Sequence, residues 1–353
     1  MNEILEKVKK KAKGGKEALR RKIRESGIKI VYFREESEFV EFVRALDLEK
    51  NLFVSDREFA GSYLRRLGIK NILFQEEGSV EDVKRGKGGK ELVIGFGGGR
   101  SLDVAKKLAT DEEAELYLIP TSPSQNAIAS PRASLWKEGK KESFSCKYPR
   151  LIAIPLFLWN NRRLEEAGRM DALASVTAVE DVYLANRVVG EKIEREGEKL
   201  ALFGVLKAVE GKSKIDLAEG LMAQGFAMEK SSRYCSGAEH ELEKLITGKG
   251  FLHGEIVGAA TLITAHAYSG VNLQLCFSPA ELFENMVDIF RRAGVARRSY
   301  EVLVSKEFTR ALSRMDLQKL REVRRRYTLW KYLRKVNLKK EWEEVEAMLR
   351  GLL

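Results

Sequence analysis

The sequence predicts an α/β domain with a parallel, doubly wound sheet over residues 1–155, followed by an all-α domain over residues 156–353. Three observations carry this. Six short β-rich runs alternate with helical patterns in the first part, the arrangement of a parallel sheet with crossover helices. One run ends in Gly97-Gly98-Gly99 and passes directly into a helical pattern. From Leu156 onward long helical stretches dominate and proline thins out, Pro155 and Pro279 being the only ones after Pro149. A chain of 353 residues, 44% of them hydrophobic, can bury two sizeable cores.

The first 25 residues hold ten Lys or Arg against four Glu, and Lys319, Arg321, Arg324, Arg325 and Arg326 form a second basic cluster. Together they account for much of the net charge of +11. Both segments read as helices with solvated basic faces. Neither interleaves the aromatics that a nucleic-acid stacking platform needs, so nucleic acid is not an expected partner. No apolar run approaches the roughly 20 residues of a membrane span. Cys146, Cys235 and Cys276 are far apart and show no C-x-x-C spacing, which argues against a disulfide framework and a thiolate zinc site. A reducing, cytoplasmic setting is expected. The abundance of both Lys and Glu is common where ion-pair networks support folding at high temperature.

The predicted strands are Ile28–Phe33, Leu52–Ser55, Asn71–Phe74, Leu92–Phe96, Leu116–Ile119 and Leu151–Ile154, with periodic stretches such as Phe39-Val40-Phe42-Val43-Leu46 covering the sheet. The run Gly97-Gly98-Gly99-Arg100-Ser101-Leu102-Asp103 joins the fourth strand to a helix. Glycines there let a diphosphate approach the backbone, and the amides opening the helix can donate to its oxygens. Arg100 stands where the G-x-G-x-x-G fingerprint would place its third glycine, so an ordinary tight turn is the competing reading. Ligands of such sheets bind beyond the carboxyl ends of the strands, where the Gly97 turn and the loop after Ile119 both fall. Asp56, just past the second strand, is positioned either to accept from a ribose hydroxyl or to cap the next helix.

The helical part is expected to pack against the sheet domain with a cleft between them, a usual place for a small-molecule site. It contains all three histidines, two of them in Ser236-Gly237-Ala238-Glu239-His240 and Phe251-Leu252-His253-Gly254-Glu255. Neutral imidazoles suit a divalent metal, and Asp171, in Gly168-Arg169-Met170-Asp171, is the best third ligand. Read alone, two histidines thirteen residues apart are better accounted for as partly buried, hydrogen-bonded structural side chains than as metal ligands. His266 reads as structural.

The order of these motifs resembles the sn-glycerol-1-phosphate dehydrogenases, in the superfamily of iron-containing alcohol dehydrogenases, glycerol dehydrogenases and 3-dehydroquinate synthases. The matching pieces are GGGRSLD at 97–103, Pro120–Ser124 with Ile128–Pro131, Thr177–Asp181, Ser231–Arg233, SGAEH, LHGE and Arg326–Leu329. The resemblance implies a Rossmann-like nucleotide-binding domain, NAD or NADP as cofactor, and zinc or another divalent metal. It further implies dihydroxyacetone phosphate reduction in phospholipid biosynthesis by a homo-oligomer. Carried over, Gly97, Gly98, Gly99, Arg100, Ser101, Leu102 and Asp103 would hold the cofactor diphosphate. Thr121, Ser124 and Ser130 would contact its nicotinamide side, and Asp171, His240 and His253 would bind the metal.

Two departures fall in the substrate shell. Ser124-Gln125-Asn126-Ala127 stands where the family has Ser-His-Asp-Gly, so Asn126 replaces a substrate-contacting aspartate. Lys244 replaces a second histidine, on the same helix face as His240. Asn126 can hydrogen-bond a hydroxyl but carries no charge; Lys244 can meet a phosphate as a point charge, or lie on the surface. Two alternatives accompany the dehydrogenase expectation: a sugar-phosphate cyclase of the dehydroquinate synthase type, and a non-catalytic paralogue.

Overall fold

The computed structural model describes residues 2–124, 126–246 and 250–352, and the chain divides into two compact units. The first, Lys16–Glu165, is built on eight strands: β1 (Lys29–Phe33), β2 (Asn51–Ser55), β3 (Ile72–Phe74), β4 (Leu92–Gly97), β5 (Glu115–Pro120), β6 (Arg132–Lys137), β7 (Lys140–Ser145) and β8 (Leu151–Pro155). All six predicted strands lie in one parallel sheet of order β1-β8-β5-β4-β2-β3. Alternate residues face opposite sides: Phe53, Ile94 and Phe96 enter one apolar core with Phe39 and Tyr63, while Leu52, Val54 and Val93 enter another with Leu102, Val104 and Leu108. Two buried faces explain why these strands read as continuous apolar runs.

The chain leaves β2 toward β3 and leaves β4 toward β5, on the other side, so the topological switch lies between β2 and β4. Ligands of doubly wound sheets bind at that point, beyond the carboxyl ends. The hairpin β6–β7 was not foreseen from the sequence. Its turn is Glu138-Gly139, at φ 50° and 74°, so a glutamate takes the left-handed position that Asn or Asp usually fills, and no turn signal marks it. Ala133 and Leu135 are its buried anchors.

The second unit comprises Met1–Gly15 and Glu166–Leu353 and is helical throughout its described residues. The sequence pattern predicts a boundary at 155/156 with the whole N-terminal segment on the sheet side; the compact units differ at both places. Residues after β8 stay with the sheet because Trp159, 2% exposed, donates its indole N–H to Pro120 O at 2.9 Å, and Phe157 packs edge-on against Phe39. The helix Glu3–Ala12 joins the helical unit because its apolar stripe Ile4, Leu5, Val8 and Ala12 is buried, in contact with helices Arg195–Glu210 and Leu282–Arg292. Lys11 is anchored there, its Nζ donating to Tyr183 Oη and Glu198 Oε1, both at 2.7 Å.

The second basic cluster also departs from the solvated helix expected of it. The helix Leu317–Val323 stops before Arg324, and Arg321 donates to Trp330 O at 3.1 Å and Leu333 O at 2.6 Å. Guanidinium groups are used there as clamps on backbone carbonyls.

Candidate functional site

Two constellations carry chemistry, one in each unit. In the sheet unit, Gly97 ends β4 at φ 145°, and a Cβ there would lie 2.9 Å from Ser101 Oγ and 3.3 Å from Asp56 Oδ2. Gly98 caps the helix Gly99–Asp111 without a side-chain bond, so its opening amides have no cap of their own. The close packing of helix on strand, the task of the fingerprint's third glycine, falls to Gly95, whose Cβ would meet Ala105 at 2.9 Å. That relieves Arg100, an exposed residue whose aliphatic stem lies over Gly78. Asp56 Oδ1 accepts from Ala60 N at 3.1 Å, in the first turn of the helix Phe59–Arg66, and its Oδ2 faces Gly97.

Asp103 is committed elsewhere. Its Oδ1 pairs with the fully buried Lys106 at 3.0 Å and its Oδ2 accepts from Ser134 N at 3.0 Å, so it fastens the hairpin to the helix. Ser101 and Leu102 are buried beside the turn. Thr121 is buried and its N–H donates to Gly97 O at 3.1 Å, tying the loop after β5 to the glycine turn. Ser124 lies 3.0 Å from Ser122, Oγ to Oγ, Ser130 is buried, and Asn126 opens the short 3-10 turn Asn126–Ile128, half-buried. Gln125 lies outside the described residues.

In the helical unit, Asp171, His240 and His253 come together from helices Arg162–Leu173, Ala238–Leu245 and His253–Ala267. Asp171 Oδ1 lies 3.4 Å from His240 Nε2 and 3.6 Å from His253 Nε2. Each Nδ1 faces a carboxylate, Glu239 at 2.8 Å for His240 and Glu243 at 2.9 Å for His253. Those carboxylates hold the proton on Nδ1 and leave both Nε2 lone pairs aimed at Asp171. Asp171 Oδ1 is buried, and the described residues offer it no hydrogen-bond donor. With both rings neutral, three acceptors converge on one point, an arrangement that a bound cation satisfies and that charged imidazoles satisfy in its place. The spacing suits a tetrahedral ion, whose ligands at about 2.1 Å stand about 3.4 Å apart. Asp171 and His240 are buried while His253 is 38% exposed, so the centre is open on one side.

The electrostatics agree. Burial raises the Asp171 pKa, but His240 and His253 outweigh it and hold the group well below the usual carboxylate range. Partial burial disfavours a charged His253, and Glu243 with Asp171 more than offsets this, raising its pKa to about 10. His240 is raised too, burial being overcome by Asp171 and Glu239. Without a metal, protons take the positive charge the carboxylates demand.

Helix packing sets the spacing. A Cβ on Gly254 would lie 2.0 Å from Ala167 O, and one on Gly258 2.7 Å from Met170 Sδ. These two glycines, one turn apart, let the helix of His253 lie against the helix of Asp171.

The start of the helix Ala238–Leu245 is pinned by residues whose part is visible only in the fold. Thr177 donates to Glu239 Oε2 at 2.9 Å, and Asp181 accepts from Ala238 N at 2.6 Å, from Tyr268 Oη at 2.6 Å and from Leu329 N at 2.8 Å. Arg324 donates to Ser236 O at 2.9 Å, Arg326 donates to the same oxygen, and Trp330 donates to Ala238 O at 2.8 Å. Gly237 must be glycine, since a Cβ would lie 2.5 Å from Asp181 Oδ2. The Thr177–Asp181 and Arg326–Leu329 motifs therefore position His240. Lys244 sits half-buried on the same helix.

Comparison with known proteins bears out the resemblance. Residues 60–155 match the family model described as iron-containing alcohol dehydrogenase. A glycerol-1-phosphate dehydrogenase (NAD(P)+) of Hyperthermus butylicus is 36% identical over 208 residues, 54% of this chain and 59% of the relative. One from Sulfolobus acidocaldarius is 36% identical over 214 residues, 56% and 60% respectively. The matched segment thus spans about three fifths of those relatives' length. Among solved structures, a probable glycerol dehydrogenase from Sinorhizobium meliloti superposes with a TM-score of 0.62 at 19% identity, covering 92% of this chain and 98% of that one, which shows the shared fold.

Proposed function

We propose that this chain, with the fold of the glycerol and iron-containing alcohol dehydrogenases, is a metal-dependent NAD(P)-linked oxidoreductase acting on a small polyol phosphate, with dihydroxyacetone phosphate reduced to glycerol 1-phosphate. The observation that carries the reading is the convergence of the buried Asp171 Oδ1 and two imidazole Nε2 atoms at 3.4 and 3.6 Å, each ring backed at Nδ1 by a carboxylate. A site built to hold a cation suits carbonyl reduction far better than it suits a purely structural hydrogen-bond cluster.

Asp171, His240 and His253 would hold the metal, which we take to be zinc. When bound, the metal polarises a substrate oxygen and the nicotinamide supplies the hydride. The protein's part is orientation. Glu239 and Glu243 keep the Nδ1 protons in place, so both imidazoles stay neutral ligands through turnover. The amides of Gly98–Arg100, with open space around Gly98, would receive the diphosphate, and Asp56 Oδ2 beside Gly97 would accept from a ribose hydroxyl. Thr121, Ser124 and Ser130 would face the nicotinamide. Lys244 would meet the substrate phosphate as a point charge and Asn126 a hydroxyl. The three free cysteines suit a reducing, cytoplasmic setting, and a homo-oligomer, testable by light scattering, completes the reading.

Purified protein with zinc, NADH or NADPH and dihydroxyacetone phosphate should oxidise the cofactor, and Asp171→Asn should abolish this. Binding of metal and cofactor without turnover of that ketone, glycerol phosphate, glycerol or simple alcohols would overturn the assignment. Cofactor retained and unchanged after turnover would instead favour the cyclase.

A further inference from the structure

We propose that His266, Glu341 and Glu344 form a second divalent-cation site, separate from the three-residue centre. His266 lies in the last turn of the helix His253–Ala267, and the two glutamates lie three apart, on one face of the helix Leu338–Leu352. His266 Nδ1 is 2.6 Å from Glu341 Oε2, which holds the proton on Nδ1. Its Nε2 is thereby left with a lone pair, 3.6 Å from Glu344 Oε2. This repeats the geometry of the first centre, where each Nδ1 meets a carboxylate and each Nε2 stands 3.4 or 3.6 Å from another.

Two further features prepare the ring for a ligand. Phe283 packs against it edge-on, centroids 5.3 Å apart at 88°, which fixes the imidazole plane. The helix C-terminus brings the negative end of the helix dipole to the same place, and that favours a cation. Side-chain exposures of 16%, 20% and 43% leave the group accessible to solvent. The competing contact is Lys340 Nζ on Glu344 Oε1 at 3.4 Å, an exposed pair of small worth that leaves Oε2 available.

One imidazole nitrogen with carboxylate oxygens selects a borderline divalent ion such as Zn2+, Co2+ or Ni2+. Glu344 and His266 Nε2 would be direct ligands, Glu341 the carboxylate that orients the ring, and water would fill the remaining positions. The ion would fasten the C-terminal helix to the far end of the helix whose first residue is His253.

The test is a Co2+ titration of the full-length, tag-free, metal-free protein, followed by absorption and by bound metal after dialysis. Wild type should bind two equivalents. His266→Ala should bind one, keeping the spectrum of the first centre, while His240→Ala should keep one and lose that spectrum. Glu344→Gln, at a half-exposed position where folding is not at stake, should weaken only the second equivalent, by at least about tenfold, and Glu341→Gln by about 10–100-fold. Equal stoichiometry in wild type, His266→Ala and Glu344→Gln at saturating Co2+ would overturn the proposal. Loss of an equivalent in His240→Ala alone would do the same while leaving the first centre standing.

Discussion

Gly254→Ala tests whether helix contact sets the metal geometry. An added Cβ would lie 2.0 Å from Ala167 O, where real Cβ atoms essentially never come under 3.0 Å, so the helices must separate by about 1 Å. Alanine is intrinsically the better helix former by about 0.5–1 kcal/mol, so any destabilisation is net of that gain. Overpacking costs about 1–3 kcal/mol, which lowers the melting temperature by about 2–12 °C in a unit of this size. Metal affinity should suffer more than stability. Ligand distances tolerate shifts of only about 0.2 Å, and a displacement several times larger carries His253 away from Asp171. Zinc affinity, measured by competition with a chromophoric chelator, should fall by at least about tenfold although no ligand has been replaced. A variant with wild-type melting and wild-type zinc affinity would refute the argument that Gly254 and Gly258 set the spacing.

Three further outcomes follow from the same geometry. Glu239→Gln should weaken zinc by about 10–100-fold in the same chelator assay, since the group fixing the His240 tautomer is lost; an unchanged constant would mean the tautomer is set elsewhere. For the metal-free protein, a His253 pKa raised from 6.5 to about 10 stabilises fully below pH about 6.5 and is lost as pH rises toward 10. Its melting temperature should therefore fall across that window, and zinc, which needs neutral imidazoles, should flatten the fall. Lys106→Met should destabilise the sheet unit by about 3 kcal/mol by stranding Asp103, with hydrogen-exchange protection of the Ser134 amide lost first.

The sheet was legible in the sequence because its inner strands β2, β4 and β8 are buried on both faces, so apolar runs such as Leu92–Phe96 stand out from the polar helices between them. The hairpin Arg132–Ser145 was not, because β7 is nearly all exposed and its turn uses glutamate in a left-handed position. The boundary moved for a related reason: Trp159 belongs to the sheet unit through one indole hydrogen bond, which no periodicity announces. Asp171, His240 and His253 could be named from residue type and resemblance. What holds them could not, because Glu243, Gly254, Asp181 and Arg326 act through tertiary contacts. The role of Asp103 depended on a hairpin that was itself invisible.

The network around Ser236 and Ala238 has a consequence for folding in time. The bond from Leu329 N to Asp181 spans 148 residues, and those from Trp330 and Arg326 close loops of 92 and 90. Contacts of such long range form late and slowly. All three ligand-bearing segments are synthesised before Arg324, Arg326, Leu329 and Trp330, which complete the pinning of His240, so a nascent or C-terminally shortened chain carries every ligand and still lacks the finished site. Metal acquisition then reports completed folding, and a chelator present during refolding should trap the chain one step short of its final state.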